Sequence, residues 1–345
     1  MSAVHVTPAD LEARLSEYLE ATMDARFVAV TELRPLAGGA SRDNWLVEIK
    51  TTDGRERLLL RRDRSTQPLE RALRRDEEFL VLTAAHAAGI PVPRPRGVCV
   101  EAALLEGAFL LTDYQDGISI GRQVVQLPEL AAARAALPEQ MGRTLAQIHG
   151  LDFQTAALRF LPRPAAGQTP ADFALGEIRA AIQKLEVHNP VFEFGLRWLE
   201  GRKPICERPV FVHGDFRIGN IMVGAEGLLS VIDWEYAHVG DPAEDLAWPC
   251  LRDWRYGKGT LWFGGIAADR EPFLKAYEAA SGRRIERAAV DFWETLGNLR
   301  WAVGCLLQAE RHLSRGDHSV ELATLGRRSS EMQMELLRLI GQQGV

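Results

Sequence analysis

Val210-Phe211-Val212-His213-Gly214-Asp215-Phe216-Arg217-Ile218-Gly219-Asn220-Ile221-Met222-Val223, then Gly224 to Gly227, then Leu228-Leu229-Ser230-Val231-Ile232-Asp233-Trp234-Glu235, is the stretch on which the reading of this chain turns. Two apolar runs around a Gly-Ala-Glu-Gly linker predict a β-hairpin. With the four-residue linker as the loop, Val223 faces Leu228 and Asn220 falls opposite Val231. Asp233 then lies two residues further on, on the same face as Asn220 and a diagonal step away, near enough for one cation to bridge the two. An amide and a carboxylate at the open end of a hairpin form a hard, oxygen-rich site that suits Mg²⁺, whose shell is completed by phosphates and water. Asp215, on the loop entering the hairpin, is a candidate for the carboxylate that orients and deprotonates an attacking hydroxyl. A lone Asp in a loop is ordinarily a turn former or a helix cap. His-x-Asp-x4-Asn, followed thirteen residues later by Asp on a second apolar strand, is far more restrictive.

Upstream, the chain reads as an antiparallel meander. Thr31 to Leu36, Trp45 to Ile49 and Arg57 to Arg61 are short strands, broken by Gly38-Gly39 and by the turn signal Thr52-Asp53-Gly54. A helical stretch from about Pro68 to Ala88 comes next, ended by Gly89 and Pro91, and Phe109 to Thr112 is a further strand. Before the meander, Thr7-Pro8-Ala9-Asp10 looks like a helix start, and Leu11, Leu15, Tyr18 and Leu19 repeat at helical spacing. Beyond residue 117 the pattern is helical over 129–149, 172–187, 190–201, 269–281, 286–313 and 319–340, apart from the β-rich island. Seven of the eight tryptophans lie at or after Trp198, as expected if the larger core sits there. The implied architecture is α+β: a helix over 1–30 packed on the body, a sheet-rich lobe over 31–115, and a larger helical lobe over 116–345.

Composition narrows the function. The 345 residues are 46% hydrophobic and 26% charged, which suits soluble globular domains. A net charge of −6 is a poor footprint for nucleic acid, and the basic clusters at Arg61-Arg62 and Arg71-Arg74-Arg75 are interleaved with acids. Cys99, Cys206, Cys250 and Cys305 are too far apart for a zinc or dithiol site, and they suit reduced thiols in the cytoplasm. The first twenty residues lack the pattern of a signal peptide, and no apolar run is long enough to span a membrane. A cytoplasmic location without nucleic-acid or membrane partners is therefore expected; a homodimer is left open.

The residues resemble a family, the aminoglycoside phosphotransferase and choline kinase group of small-molecule kinases. HGDFRIGNIMV is similar to its catalytic loop and VIDWE to its metal-binding segment, and the similarity covers about residues 30–340. The resemblance implies a bilobal protein-kinase-like fold, with a small antiparallel-sheet N-lobe and a larger helical C-lobe. It also implies Asp215 as catalytic base, Asn220 and Asp233 as Mg²⁺ ligands around ATP phosphates, and His213 as structural support. Gly38, Gly39 and Ser41 occupy the place of the family's glycine-rich phosphate cover. The phosphate-binding cation of the third strand, usually Lys, is here Arg61, with Arg62 as the alternative; guanidinium binds phosphate as a fork rather than a point charge. Its acidic partner would be Glu78 or, failing that, Glu77. The backbone of Asp113 and Gln115 would meet the adenine edge, and Asp245 would brace the catalytic loop from the helix start Gly240-Asp241-Pro242.

Seven residues separate Asp233 from Asp241, and no Ala-Pro-Glu sequence comes after them. Protein kinases place a much longer peptide platform there, so a small hydroxylated acceptor is expected. Trp248, Asp253, Trp254 and Arg255 are candidates for lining its pocket. Aminoglycosides, macrolides, choline-like alcohols and hydroxyacyl-CoA all remain open, with ATP or another nucleoside triphosphate as donor. The competing reading is a kinase-like module that binds nucleotide without turnover, favoured only by Arg at the lysine position.

Overall fold

A helix with its leucines on one stripe begins the described chain: α1 (Pro8–Met23) buries Leu11, Leu15 and Leu19. A computed structural model describes residues 8–23, 26–36, 42–63, 71–314 and 320–344. Thr7, Gly38, Gly39 and Ser41 lie outside these residues. The chain splits into two units, Met1–Asp116 and Gly117–Val345.

In the first unit, β1 (Phe27–Leu36), β2 (Arg42–Thr51) and β3 (Gly54–Asp63) form the meander. The Thr51↔Gly54 pair closes on Thr52-Asp53, the turn expected from the sequence. Next come α2 (Arg75–Ala87), β4 (Pro95–Cys99), α3 (Ala102–Leu105) and β5 (Phe109–Asp113), giving a five-stranded antiparallel sheet in the order β1-β2-β3-β5-β4. Alternate residues Leu58 and Leu60 of β3 and Phe109 and Leu111 of β5 face the leucines of α1 in one apolar core. Pro68, where the sequence pattern begins, lies outside the described residues; among those described, helix α2 starts at Arg75. The Arg74 N–H donates to Glu77 Oε2 at 2.9 Å, which fixes the first turn there.

The second unit is mainly helical. It runs α4 (Gly121–Gln126), α5 (Ala131–His149), α6 (Pro170–Lys184), α7 (Pro190–Glu200), then the strands β6 (Val210–Val212), β7 (Ile221–Gly224), β8 (Gly227–Val231) and β9 (His238–Gly240). The helices α8 (Pro242–Ala247), α9 (Glu271–Ser281), α10 (Arg287–Ser314) and α11 (Val320–Gln343) complete it. Helix α5 packs on α9, and α10 on α11. Trp234 and Trp293 are among the largest fully buried side chains.

The island forms two small antiparallel pairs, β6 with β9 and β7 with β8. The hairpin exists, but its register differs from the sequence expectation. Gly224 pairs with Gly227 and Val223 with Leu228, leaving a two-residue turn; a bulge between Met222 and Val223 then sets Ile221 opposite Val231. Asn220 therefore faces Ile232, whose N–H donates to the Asn220 carbonyl at 3.0 Å. An extra residue on one strand shifts every later partner by one, so pleat alternation does not bring Asn220 and Asp233 to one face. Asp233 instead leaves the strand in a left-handed conformation, φ 67°.

Candidate active site

Strand β6 delivers the loop His213 to Arg217. Gly214 sits at φ 83°, where a Cβ would lie 2.3 Å from the Tyr236 carbonyl oxygen, so glycine is required twice over. The backbone N–H groups of His213 and Gly214 both donate to the buried Asp245 carboxylate, at 2.7 and 2.9 Å. Asp245 sits on α8, whose N-terminus is capped by Asp241 accepting from Ala243 N at 2.9 Å. His149, at the end of α5, presents Nε2 to Asp245 at 3.2 Å and Nδ1 to the Tyr277 hydroxyl at 2.8 Å. The loop thus hangs from a chain of buried polar groups reaching from α8 through α5 to α9.

His213 is fully buried. Its Nδ1 accepts from the Asp215 N–H at 3.2 Å and its Nε2–H donates to the Ile232 carbonyl at 3.2 Å, linking the loop to the end of the hairpin. Burial pushes its pKa below the ordinary histidine value, against the opposing pull of the Asp245, Asp215 and Asp233 charges. A lowered folded-state pKa means that the unfolded chain takes up the proton first as pH falls. Stability from this group is complete above about 6.5 and is lost below it, at about 1.4 kcal/mol per pH unit until the folded pKa is reached. The cost of His213→Gln in denaturant unfolding should shrink at that rate below pH 6.5. A cost constant from pH 8 to pH 5 would contradict the assignment.

Asp215 is engaged on both oxygens. Oδ1 accepts from Arg217 Nε at 2.9 Å and from the Trp248 indole N–H at 2.6 Å; Oδ2 accepts from Asn220 Nδ2 at 2.5 Å. Asn220 Nδ2 also reaches the Asp215 carbonyl at 2.9 Å. An amide whose NH₂ serves a carboxylate keeps its oxygen as the acceptor, the atom a hard cation needs. Asp233 directly follows Ile232, whose carbonyl accepts from His213 and whose N–H is tied to Asn220, so the chain runs from these loop contacts straight to Asp233. One carboxylate and one amide oxygen beside a second carboxylate fit a Mg²⁺ that also binds phosphate. Among the described residues no group of three or more His, Cys, Asp or Glu is placed to hold a metal ion.

Arg217 stacks over the Trp254 ring, 4.2 Å from its centroid. A Cβ at Gly219 would lie 2.2 Å from Arg217 Nη1, so the Arg-Ile-Gly sequence leaves room for the guanidinium to fold back over its own loop. Asp253 is occupied by the Trp301 N–H at 2.6 Å and by Arg328. Arg255 is buried against Glu294 and Glu335, where it serves packing.

In the first unit, Arg61 on β3 pairs with Glu78 on α2 at 3.2 Å, and Glu78 also binds Arg75. Arg62 points to the opposite face, to Asp43 at 2.8 Å and the Leu105 carbonyl at 2.9 Å. Glu77 serves the helix start. Asp113 ends β5 and accepts from Arg96, and the Tyr114 N–H donates to the Arg57 carbonyl at 2.9 Å, carrying the chain on to Gln115. Burial pushes the Cys206, Cys250 and Cys305 thiols up to about 12, so none of the three is a nucleophile at neutral pH. No helix among the described residues is long and apolar enough to cross a membrane.

The sequence profile of the phosphotransferase enzyme family, APH, matches residues 32–293. The chain belongs to the APH phosphotransferase family. Among relatives of this APH chain, mouse acyl-CoA dehydrogenase family member 10 is 29% identical over 258 residues, 72% of this chain and 23% of the relative. The human family member 11 is 28% identical over 248 residues, 69% of this chain and 30% of the relative. The chain thus spans less than a third of the length of these curated relatives. A putative aminoglycoside phosphotransferase from Ralstonia eutropha superposes with a TM-score of 0.73 at 19% identity, covering 95% of this chain and 97% of that one. The α+β, protein-kinase-like fold expected from the sequence is the one these APH structures share.

Four participants in the APH site escaped the sequence reading. Arg217 and Trp248 were not seen as partners of Asp215, nor His149 and Tyr277 as supports of Asp245. Trp248 had a signal: it lies three residues after Asp245, and residues three apart on a helix share a face. His149 and Tyr277 had none, because their spacing from Asp245 is set only by tertiary packing.

Proposed function

We propose that this APH chain transfers the γ-phosphoryl group of ATP, or of another nucleoside triphosphate, to a hydroxyl group of a small molecule. Asp215 is the base and Asn220 and Asp233 hold Mg²⁺. The observation that carries this reading is the bonding of Asn220 to Asp215 at 2.5 Å, with Asp233 one residue beyond Ile232, which is tied to both His213 and Asn220. A bound Mg²⁺ would neutralise phosphate charge. Asp215 would orient the acceptor hydroxyl and take its proton, and Asp245 would hold the loop backbone that carries it. In the first unit, Arg61 steadied by Glu78 would meet the phosphates, beneath a cover formed by Gly38, Gly39 and Ser41. The backbone of Asp113 and Gln115 would read the adenine edge. His213 stays neutral and serves as structural support.

The segment after Asp233 supports a small acceptor. It is short, and its strand β9 is tied to β6 through Val210↔Gly240 and Val212↔His238. The relatives are acyl-CoA dehydrogenase family members, which brings acyl-CoA into consideration, and a hydroxylated acyl-CoA is the acceptor class we favour. Asp253 is consumed by Trp301 and Arg328, so it offers little to the ammonium groups of an aminoglycoside. The test is ADP release from Mg-ATP against a hydroxyacyl-CoA, an aminoglycoside, a macrolide and choline, with Asp215→Asn alongside. Turnover with at least one acceptor and a loss of roughly 10²- to 10⁴-fold in the variant are expected. Nucleotide binding without any turnover would leave the non-catalytic module, and undiminished turnover in Asp215→Asn would remove Asp215 as base.

A further inference from the structure

A carboxylate has about four lone-pair positions. On Asp215 three are filled, two on Oδ1 by Arg217 and Trp248 and one on Oδ2 by Asn220. We infer that Oδ1 is a fixed anchor, that Oδ2 is the atom that receives the acceptor's proton, and that Trp248 is the positioning residue that enforces this division. The inference rests on Asp215 being the base.

Two of the three donors belong to the same stretch of chain as Asp215: Arg217 lies two residues from it and Asn220 five. Trp248 belongs to a different element. It directly succeeds α8, is 7% exposed, and packs against Leu251 and Trp254, with the Trp254 ring centroid 6.0 Å away. Asp245, three residues earlier, fixes the backbone at the start of the loop through two N–H groups. One buried segment therefore holds the loop's main chain with Asp245 and the reactive side chain with Trp248. Without the indole N–H, the carboxylate can turn about its last torsion and exchange its oxygens between the remaining donors. The open lone pair then no longer faces one direction, and such misplacement is costly because transfer needs a near-attack geometry.

In the reaction, the acceptor hydroxyl gives its proton to Oδ2 as its oxygen bonds to the γ-phosphorus. The bond from that phosphorus to the β–γ bridging oxygen breaks, and the electron pair leaves with the nucleoside diphosphate. With water as acceptor the same proton transfer applies, so Mg-ATP hydrolysis by the intact chain is the assay. Trp248→Phe removes the donor but shortens the ring. Replacement of Trp248 by 3-benzothienylalanine, in which sulfur stands in the place of the N–H, keeps the shape. Both should lower kcat roughly 10- to 100-fold, the worth of a hydrogen bond to a charged group, with KM for ATP within about twofold. The melting temperature of the isosteric variant should match that of the parent. Wild-type kcat in the isosteric variant, with Asp215→Asn inactive, would overturn the role of Trp248 and leave Asp215 as base. Unchanged hydrolysis in Asp215→Asn would overturn both.

Discussion

Asp233→Asn should reduce phosphoryl transfer by about three orders of magnitude while leaving the fold intact. The exchange removes one full negative charge from the site proposed to hold Mg²⁺ against phosphates. Metal stabilisation of a transferring phosphoryl group is worth several kcal/mol, and about 4 kcal/mol is a thousandfold in rate. The backbone is not the victim. Asp233 sits at φ 67°, a conformation asparagine tolerates at least as well as aspartate. On one side, the Ile232 N–H is tied to the Asn220 carbonyl; on the other, the buried Trp234 donates its indole N–H to the Val231 carbonyl at 3.1 Å. Those anchors do not involve the carboxylate. The measurement is kcat at saturating ATP over a Mg²⁺ titration, with thermal unfolding as the control. Activity within tenfold of the parent at high Mg²⁺ would exclude Asp233 as a ligand.

The same anchors show how far the sequence could be read. The hairpin was legible because two apolar runs flank Gly224 and Gly227, and no other short structure suits that pattern. Its register was not, because a bulge leaves no mark in the pattern of hydrophobic residues, and the Met222–Val223 shift moved Asn220 by one partner. The bonding of Asn220 to Asp215 arises from a turn before β7, and Asp233 leaves β8 in a left-handed conformation; a strand argument contains neither. β4 was missed for a related reason. Its Pro95 and Gly97 are poor strand formers, yet β4 is the edge of its sheet, where a proline need not donate to a ladder. Glu78 was legible as the partner of Arg61 only to within one residue of Glu77; what separates them is the helix start, where Glu77 is spent on the Arg74 N–H. Local chemistry was readable, then, wherever a residue type and its neighbours decide the outcome. It was unreadable where distant elements meet, as at His149, Asp245 and Tyr277.

That meeting point carries the largest expected effect on stability. Asp245→Asn should destabilise the second unit by about 3 kcal/mol, a fall in melting temperature of roughly 6–12 °C. Asp245 is fully buried and accepts two backbone N–H groups, one on each oxygen, together with the His149 ring. Asparagine has a single acceptor oxygen. Whichever way it turns, its NH₂ faces at least one donor, and a buried N–H is left without a partner. The penalty reaches the chemistry, because the orphaned N–H belongs to His213 or Gly214, immediately before Asp215. Gly214 sits at φ 83°, beside the Tyr236 backbone that a Cβ would strike, so its neighbours leave it little room to adjust. The loop must shift as a body, and a displacement near 1 Å is worth about a hundredfold in rate. Asp245→Asn should therefore lose activity and stability together, whereas the isosteric change at Trp248 should lose activity alone. A melting temperature within about 2 °C of the parent in Asp245→Asn, well inside the shift expected for a domain of this size, would show that the loop is held by something other than this carboxylate.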